Sequence, residues 1–206
     1  MSRRRWPTAG DLALQLWNRV ERAALIHSDS RRAARFAAFG ARSAICFPPA
    51  ALYGEHAIRI GDDVLIGPYV GLSAGMVPGQ DLISDRIVDI GDRCLIGRGS
   101  SIVGHLEIRI GADVYFGPNV YVTDQNHGTD RLDVPIGRQS EPEQPVSIGS
   151  GSWLGTNAVV LPGVTIGRQV AVGAGSVVTS DLPDGVIAAG VPARIIRDAA
   201  TPDDLA

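Results

Sequence analysis

The segment 123–127, which reads Thr-Asp-Gln-Asn-His, combines side chains that could carry out proton transfer. Histidine titrates closer to neutral pH than any other side chain, so His127 could remove the proton of a hydroxyl group. Asp124 and Asn126 flank it and could fix the ring or bind an acceptor, although ordinary turn chemistry explains both equally well. Residue type alone favours a solvated loop histidine without a role. Whether His127 has a role therefore depends on the elements that position it.

A six-residue repeat runs through most of the chain. One aliphatic or aromatic residue returns every sixth position, and four positions later comes a small or β-branched follower, from Val64 and Cys94 to Ser176. This period matches neither an amphipathic helix nor a simple two-residue strand alternation, so it predicts a repeat architecture. The key residues that show it are Ile60, Ile66, Ile90, Ile96, Ile110, Phe116, Ile148, Leu154, Val160, Ile166, Val172 and Val178.

The repeat predicts a coil of short flat sides, with three units to each turn and the key residues pointing inward. Successive turns stack as parallel strands about 4.8 Å apart, because no single unit can bury its apolar side alone. A glycine follows nearly every key residue, and we expect it to occupy a corner where φ is positive. The expected fold class is mainly β, with the coil spanning residues 43–197.

Residues 1–42 are expected to form a helical cap over the open end of the coil. Thr8 and Asp11 resemble a capping box, which predicts a first helix over about 9–26, and the alanine-rich segment 30–39 predicts a second. The alternative, that this basic amphipathic segment touches a membrane surface, is less favoured. The tail 198–206 is acidic and expected to be disordered.

Two stretches interrupt the repeat, residues 75–88 and residues 125–147. Insertions in a solenoid emerge on one face, where binding usually occurs. We therefore expect these loops to wall a site that includes His127.

Composition excludes several function classes. The net charge of -3 argues against a nucleic-acid partner, and no apolar run is long enough for a membrane span, so a cytoplasmic location is expected. All 19 basic residues are arginine, which excludes Schiff-base chemistry and a P-loop. The two cysteines, Cys46 and Cys94, read as structural thiols. No metal-ligand spacing occurs.

Several stretches resemble the hexapeptide-repeat acyltransferases, in particular the sugar, galactoside and maltose O-acetyltransferase branch. They are the repeat at 148–152, the stretch 161–167, the C-terminal signature 189–197 and the Pro-Asn-Val triplet 118–120, which precedes His127 with the galactoside-type spacing. The resemblance covers roughly residues 43–197. It implies a left-handed parallel β-helix, a homotrimer with sites between subunits, and no metal.

The resemblance also implies a reaction. His127 would deprotonate a saccharide hydroxyl, which would attack the thioester of an acyl-coenzyme A directly, with acetyl or succinyl as the acyl group. Asp124, Asn126 and His105 would lie near the acceptor, although His105 stands where the galactoside enzyme has an acidic residue. Ser180 replaces a common lysine. The implied coenzyme A contacts are Trp153, Thr156, Ala174, Thr179, Ser180, Arg194 and Arg197.

Rival functions remain open from the sequence. A noncatalytic repeat scaffold or a sugar-nucleotide-binding module would not need His127, whereas a serine acetyltransferase would differ at the C-terminal signature. A γ-type carbonic anhydrase needs converging histidines that this chain, with four in all, does not offer at a suitable spacing. A dicarboxylic acyl group would need an arginine near the thioester, for which Arg98, Arg131 and Arg138 are candidates.

Overall fold

The computed structural model describes residues 8–199, which form a left-handed parallel β-helix preceded by one α-helix. The elements in chain order are α1 (Ala9–Ala24), β1 (Ile26–His27), β2 (Ala38–Phe39), β3 (Ala44–Ile45), β4 (Ala51–Tyr53), β5 (Ile58–Ile60), β6 (Leu65–Ile66), β7 (Gly71–Ala74), β8 (Val88–Ile90), β9 (Leu95–Ile96), β10 (Ser101–Gly104), β11 (Ile108–Ile110), β12 (Tyr115–Phe116), β13 (Tyr121–Thr123), β14 (Val146–Ile148), β15 (Trp153–Leu154), β16 (Val159–Val160), β17 (Thr165–Ile166), β18 (Ala171–Val172), β19 (Val177–Val178), β20 (Val186–Gly190) and β21 (Ala193–Asp198). Short 3-10 turns lie at Ala33–Arg35, Glu55–Ala57 and Ile136–Arg138.

The strands stack into three sheets, one for each side of the coil. The first has nine strands in the order β1-β3-β6-β9-β12-β15-β18-β20-β21. The second, β19-β16-β13-β10-β7-β4, and the third, β17-β14-β11-β8-β5-β2, have six strands each. Stacked residues are 18 positions apart where the coil is regular, as for Ser152 and Val170. The separation grows to 30 across the first loop and to 38 across the second, so both loops leave the coil without shifting its register.

The core is the ladder of inward residues that the repeat predicts. Every key residue from Ile60 to Val178 is buried, and Phe116 is the largest side chain among them. The followers are buried as well, including Ser152 and Cys94. Ser152 compensates for its burial, because its hydroxyl donates to Gly167 O at 2.9 Å and accepts from Val170 N at 3.1 Å. The predicted coil interior is therefore confirmed.

The expected role of the glycines that follow the key residues is wrong. Positive φ occurs two residues later in each unit, at Asp63, Asn119 and Gln169 for example. The glycine is needed because the next coil passes too close for a side chain. A Cβ at Gly149 would lie 2.4 Å from the carbonyl carbon of Gly167, and one at Gly97 would lie 2.4 Å from Gly117 O.

The N-terminal segment differs from the expected pair of helices. α1 begins with the predicted capping box, in which Thr8 Oγ1 accepts from Asp11 N at 3.2 Å, but the helix ends at Ala24 and buries none of its residues. The second helix is wrong, since residues 30–39 form one 3-10 turn and β2, which already pairs with β5. The end of the coil is covered by the buried Ala33 and Phe36 instead.

The C-terminal end of the coil closes with an antiparallel hairpin. β20 continues the nine-stranded sheet beside β18, and β21 folds back against it through Asp198. Of the tail 198–206, residues 200–206 and their expected disorder lie outside the described residues. Within residues 8–199, no helix has the length and apolar character needed to cross a membrane.

Candidate active site

His127 lies where the second loop leaves β13, and its ring is held by that loop. An isolated antiparallel bridge pairs it with Ser140, and its Nδ1 lies 3.3 Å from the carbonyl oxygen of Gln139. A carbonyl oxygen only accepts hydrogen bonds, so Nδ1 carries the proton of the neutral ring. The other nitrogen, Nε2, is then left with a lone pair, which is the form that a general base requires.

Gln139, which orients this ring, is a residue that the sequence reasoning missed. Its side chain is buried, with Nε2 donating to Arg131 O at 2.7 Å and to Val134 O at 2.8 Å. Its Oε1 accepts from Arg131 N at 3.1 Å. These three bonds hold the loop in shape and fix the carbonyl that faces His127. One glutamine among many polar loop residues gives no sequence signal of this kind.

Two cavities meet at His127, and both are lined by Gln125 and Asn126 as well. The loop cavity, of about 170 Å³, lies between the two loops. The coil cavity, of about 160 Å³, lies against the second sheet. His127 therefore faces a space on either side. The remaining residues of the loop cavity are Met76, Gly137, Arg138, Gln139, Ser140, Glu141 and Glu143, and those of the coil cavity are Tyr121, Thr123 and Leu161.

Asn126 lies next to His127 and lines both cavities. Its Oδ1 accepts from His127 N at 2.9 Å, so the other end of its side chain is the amide NH₂ group, a hydrogen-bond donor. The expected acceptor contact of Asn126 stays a prediction. Such a donor group also suits an oxygen that becomes negatively charged.

Asp124 does not line either cavity. It is fully buried, and its carboxylate accepts from the backbone nitrogens of His105, Leu106 and Glu107 at 2.8–2.9 Å. Burial raises the pKa of the Asp124 carboxyl above its ordinary value, although the backbone donors favour the charged form. In this structure the residue secures the turn 105–107 rather than facing an acceptor.

His105 also does not line the cavities around His127. Its Nδ1 is hydrogen-bonded to the carboxylate of Glu143, and its Nε2 lies 2.9 Å from Nε2 of Gln80. Both ring nitrogens are therefore engaged, one with each loop.

The expected coenzyme A residues fall into two groups on the coil. Thr179 and Ser180 follow β19. They lie at the same end of the second-sheet strands as Leu161, which follows β16 and lines the coil cavity with His127. Thr156 and Ala174 precede β16 and β19, at the opposite end of these strands, where Gly175 N donates to Thr156 O at 2.8 Å.

Trp153 and Arg197 share one row across the nine-stranded sheet, through the register Trp153-Ala171-Ile187-Arg197. Arg194 pairs with Ala189 and is exposed, as Arg197 is. Arg138 is the only one of the three candidate acyl-binding arginines that lines a cavity around His127. Within residues 8–199 no cluster of three or more metal-ligating side chains occurs.

Comparisons with known proteins agree with this architecture. The bacterial transferase hexapeptide (six repeats) model matches residues 145–180, and the hexapeptide repeat of succinyl-transferase model matches residues 87–124. A putative lipopolysaccharide biosynthesis O-acetyl transferase, WbbJ of Escherichia coli K12, is 31% identical over 156 residues, which cover 72% of this chain and 76% of WbbJ. This chain belongs to the hexapeptide-repeat sugar O-acetyltransferase family.

One further relative and one solved structure are similar to this chain. Galactoside O-acetyltransferase of E. coli K12 is 37% identical over 148 residues, covering 71% of this chain and 66% of that enzyme. A histidine-to-asparagine mutant of perosamine N-acetyltransferase from Caulobacter crescentus, solved with CoA and GDP-perosamine, is 31% identical with a TM-score of 0.53, covering 76% and 57% of the two chains. The chain spans from about a third to two thirds of the first curated relatives it matches.

Proposed function

We propose that this hexapeptide-repeat protein transfers an acyl group from acyl-coenzyme A to a hydroxyl of a saccharide, with His127 as general base. The observation that carries the proposal is the ring of His127. Its Nδ1 faces Gln139 O, so its unprotonated Nε2 is available at the junction of two cavities. One cavity then has room for the acceptor and the other leads along the coil towards the expected coenzyme A residues.

The reaction is a direct transfer. Nε2 of His127 takes the proton of the acceptor hydroxyl as its oxygen attacks the thioester carbonyl, and a tetrahedral oxyanion forms. The amide NH₂ group of Asn126, which lines both cavities, is the proposed donor to that oxyanion. When the carbon–sulfur bond breaks, the imidazolium returns the proton to the leaving thiolate. Atoms and charges balance without a covalent enzyme intermediate.

Use of coenzyme A is supported by the family and by the perosamine N-acetyltransferase complex with CoA. Trp153, Thr156, Ala174, Thr179, Ser180, Arg194 and Arg197 are its proposed contacts. Exposed Arg194 and Arg197 suit the phosphates because a guanidinium binds them through a planar fork. A cytoplasmic location agrees with consumption of this co-substrate.

A homotrimer with sites between subunits would bring the two groups of coenzyme A residues together, because one chain holds them at opposite ends of the strands of the second sheet. An exposed apolar row on the nine-stranded sheet supports such an assembly. It follows the register of β6, β9, β12 and β15, and consists of Leu65, Leu95, Tyr115 and Trp153.

The acceptor is proposed to be a saccharide, since the relatives are named for galactoside and lipopolysaccharide acetylation. The loop cavity is lined by polar and charged side chains, among them Gln125, Arg138 and Glu141, which suits hydroxyl groups. Acetyl is the favoured acyl group. Succinyl is the second candidate, because Arg138 could bind its free carboxylate.

The test follows thiol release from acetyl- and succinyl-coenzyme A against a panel of sugars and sugar nucleotides. His127→Ala is expected to lower kcat by roughly 10²- to 10⁴-fold, while Ser140→Ala, which changes the only hydroxyl of the loop cavity, retains activity. Half-exposed His27 provides the matched histidine control, His27→Ala. Full activity of His127→Ala would refute the mechanism and favour a noncatalytic binding module. Loss of turnover in Ser140→Ala, together with an acyl-enzyme trapped on Ser140 in the wild type, would replace direct transfer by a covalent route.

A further inference from the structure

The two loops beside the site are joined by a single side chain, His105. Gln80 belongs to the first loop and Glu143 to the second, and each contacts a different nitrogen of the imidazole. The ring is mostly buried, with 13% of its side chain exposed. Met76 of the first loop and Glu143 of the second both line the loop cavity. His105 therefore contacts both of the loops that line that cavity.

The protons in this bridge follow from the partners. Oε1 of Gln80 accepts from Met76 N at 2.9 Å and from Val77 N at 3.3 Å, which directs the NH₂ group of Gln80 towards His105. Because that NH₂ group donates, Nε2 of His105 accepts. Nδ1 then carries the ring proton and donates it to the carboxylate of Glu143. One neutral tautomer satisfies all three side chains.

The backbone of His105 is fixed independently of its ring. Its N–H donates to both carboxylate oxygens of Asp124 at 2.9 Å, and Gln144 N, next to Glu143, donates to Asp124 O at 2.9 Å. A change of the ring therefore leaves the turn 105–107 and its anchor in place. A variant without the ring should therefore loosen the two loops while the turn 105–107 stays in place.

We propose that His105 is a positioning residue which ties the first loop, residues 75–87 between β7 and β8, to the second, residues 124–145 between β13 and β14. It thereby shapes the loop cavity without contacting the acceptor itself. The role of the cavity rests on the proposed function, whereas the tie between the loops does not. A ring in this position couples the two loops, so that acceptor binding needs both to be in place.

Amide side chains can separate the two bonds. In His105→Asn the amide nitrogen replaces Nδ1 and still reaches Glu143, but nothing reaches Gln80. In His105→Gln the amide oxygen replaces Nε2 and still accepts from Gln80, but the bond to Glu143 is lost. His105→Phe keeps the ring shape and loses both bonds.

Hydrogen–deuterium exchange of the full chain measures each loop separately. We expect faster exchange in 75–87 for His105→Asn, in 124–145 for His105→Gln, and in both for His105→Phe, by roughly fivefold for the neutral bond and tenfold for the bond to the carboxylate. His27→Phe is the control and should leave both loops at the wild-type rate. Wild-type exchange of both loops in His105→Phe, or the same pattern for the Asn and Gln variants, would overturn the proposal.

Kinetics distinguish the positioning role from an acceptor contact and from failure of the proposed function. For His105→Phe we expect a KM for the acceptor about tenfold higher, with the Kd for acetyl-coenzyme A unchanged. A raised acceptor KM with unaltered loop exchange would mean that His105 touches the acceptor and would refute the inference. If no acyl transfer occurs in the wild type, the proposed function fails, while the exchange data still decide whether His105 joins the loops.

Discussion

Replacement of Asp124 tests whether this carboxylate holds the protein together or binds the acceptor. In Asp124→Ala the backbone N–H groups of His105, Leu106 and Glu107 lose their acceptor. A buried donor without a partner costs about 1–3 kcal/mol, and the lower value applies here because these residues are partly exposed. Three such donors give a loss of about 3 kcal/mol in the free energy of unfolding. Asp124→Asn keeps one oxygen, whose two lone pairs accept two of the three bonds, and should lose only about 1 kcal/mol.

Urea unfolding, followed by far-UV circular dichroism at one fixed protein concentration, measures these losses. The midpoint should fall in the order wild type, Asn variant, Ala variant, with an unchanged dependence on urea. The exposed control Asp85→Asn should unfold like the wild type. Wild-type stability of Asp124→Ala combined with a higher acceptor KM would refute the structural role and return Asp124 to the acceptor site.

Three further predictions concern the coil and the base. Gly149→Ala should lose roughly 1–3 kcal/mol of unfolding free energy, because its Cβ meets the backbone of the next coil, whereas Gly10→Ala on exposed α1 should gain up to about 1 kcal/mol; equal midpoints in thermal unfolding would contradict this. Burial raises the pKa of Cys94 from 9.0 to about 11, so the protonated thiol stabilises the fold below pH 9 and this contribution, about 3 kcal/mol, is lost as pH rises to 11. Cys94→Ser should lack that part of the pH dependence, and an unchanged slope would show the thiol to be irrelevant. Gln139→Leu should lower kcat by about tenfold or more with coenzyme A affinity retained, because the loop carbonyl no longer holds the ring of His127; wild-type kcat would mean that another group orients the base.

The coil could be predicted from the sequence because its signal is local and repeated. Each key residue from Ile60 to Val178 meets the same environment, so burial imposes the same residue type every six positions. The reason for the glycines could not be predicted in the same way. Positive φ and close approach of a neighbouring chain both select glycine, and only the position of the next coil distinguishes them.

The N-terminal segment was mispredicted because tertiary contacts outweighed local propensity. Residues 30–39 are rich in alanine, which favours a helix, yet Phe36 is buried at the end of the coil and β2 pairs with β5. α1, by contrast, carries its own capping box and forms where the sequence predicts it, without burying a residue.

The site was only partly accessible to sequence reasoning. His127 could be proposed as the base only through the resemblance carried by the Pro-Asn-Val triplet 118–120, because residue type alone favours a loop histidine without a role. The different contacts of Asp124, Asn126 and His105 could not be predicted, because the sequence neighbours Asp124 and Asn126 face different surroundings and the partners of His105 are distant in sequence. Gln139 contacts residues up to twelve positions away inside its own loop, and no periodicity marks such contacts.

Both loops return the chain to the register that it left, so that Ile148 stacks beneath Ile110 as if no insertion had occurred. The proposed acceptor site and the coil are thereby encoded in separate stretches of the gene. A loop grafted from a relative with another sugar preference should be accommodated without redesign of the interior. The same independence would let natural variants change specificity through insertions and deletions, while the stacked frame remains under its own selection.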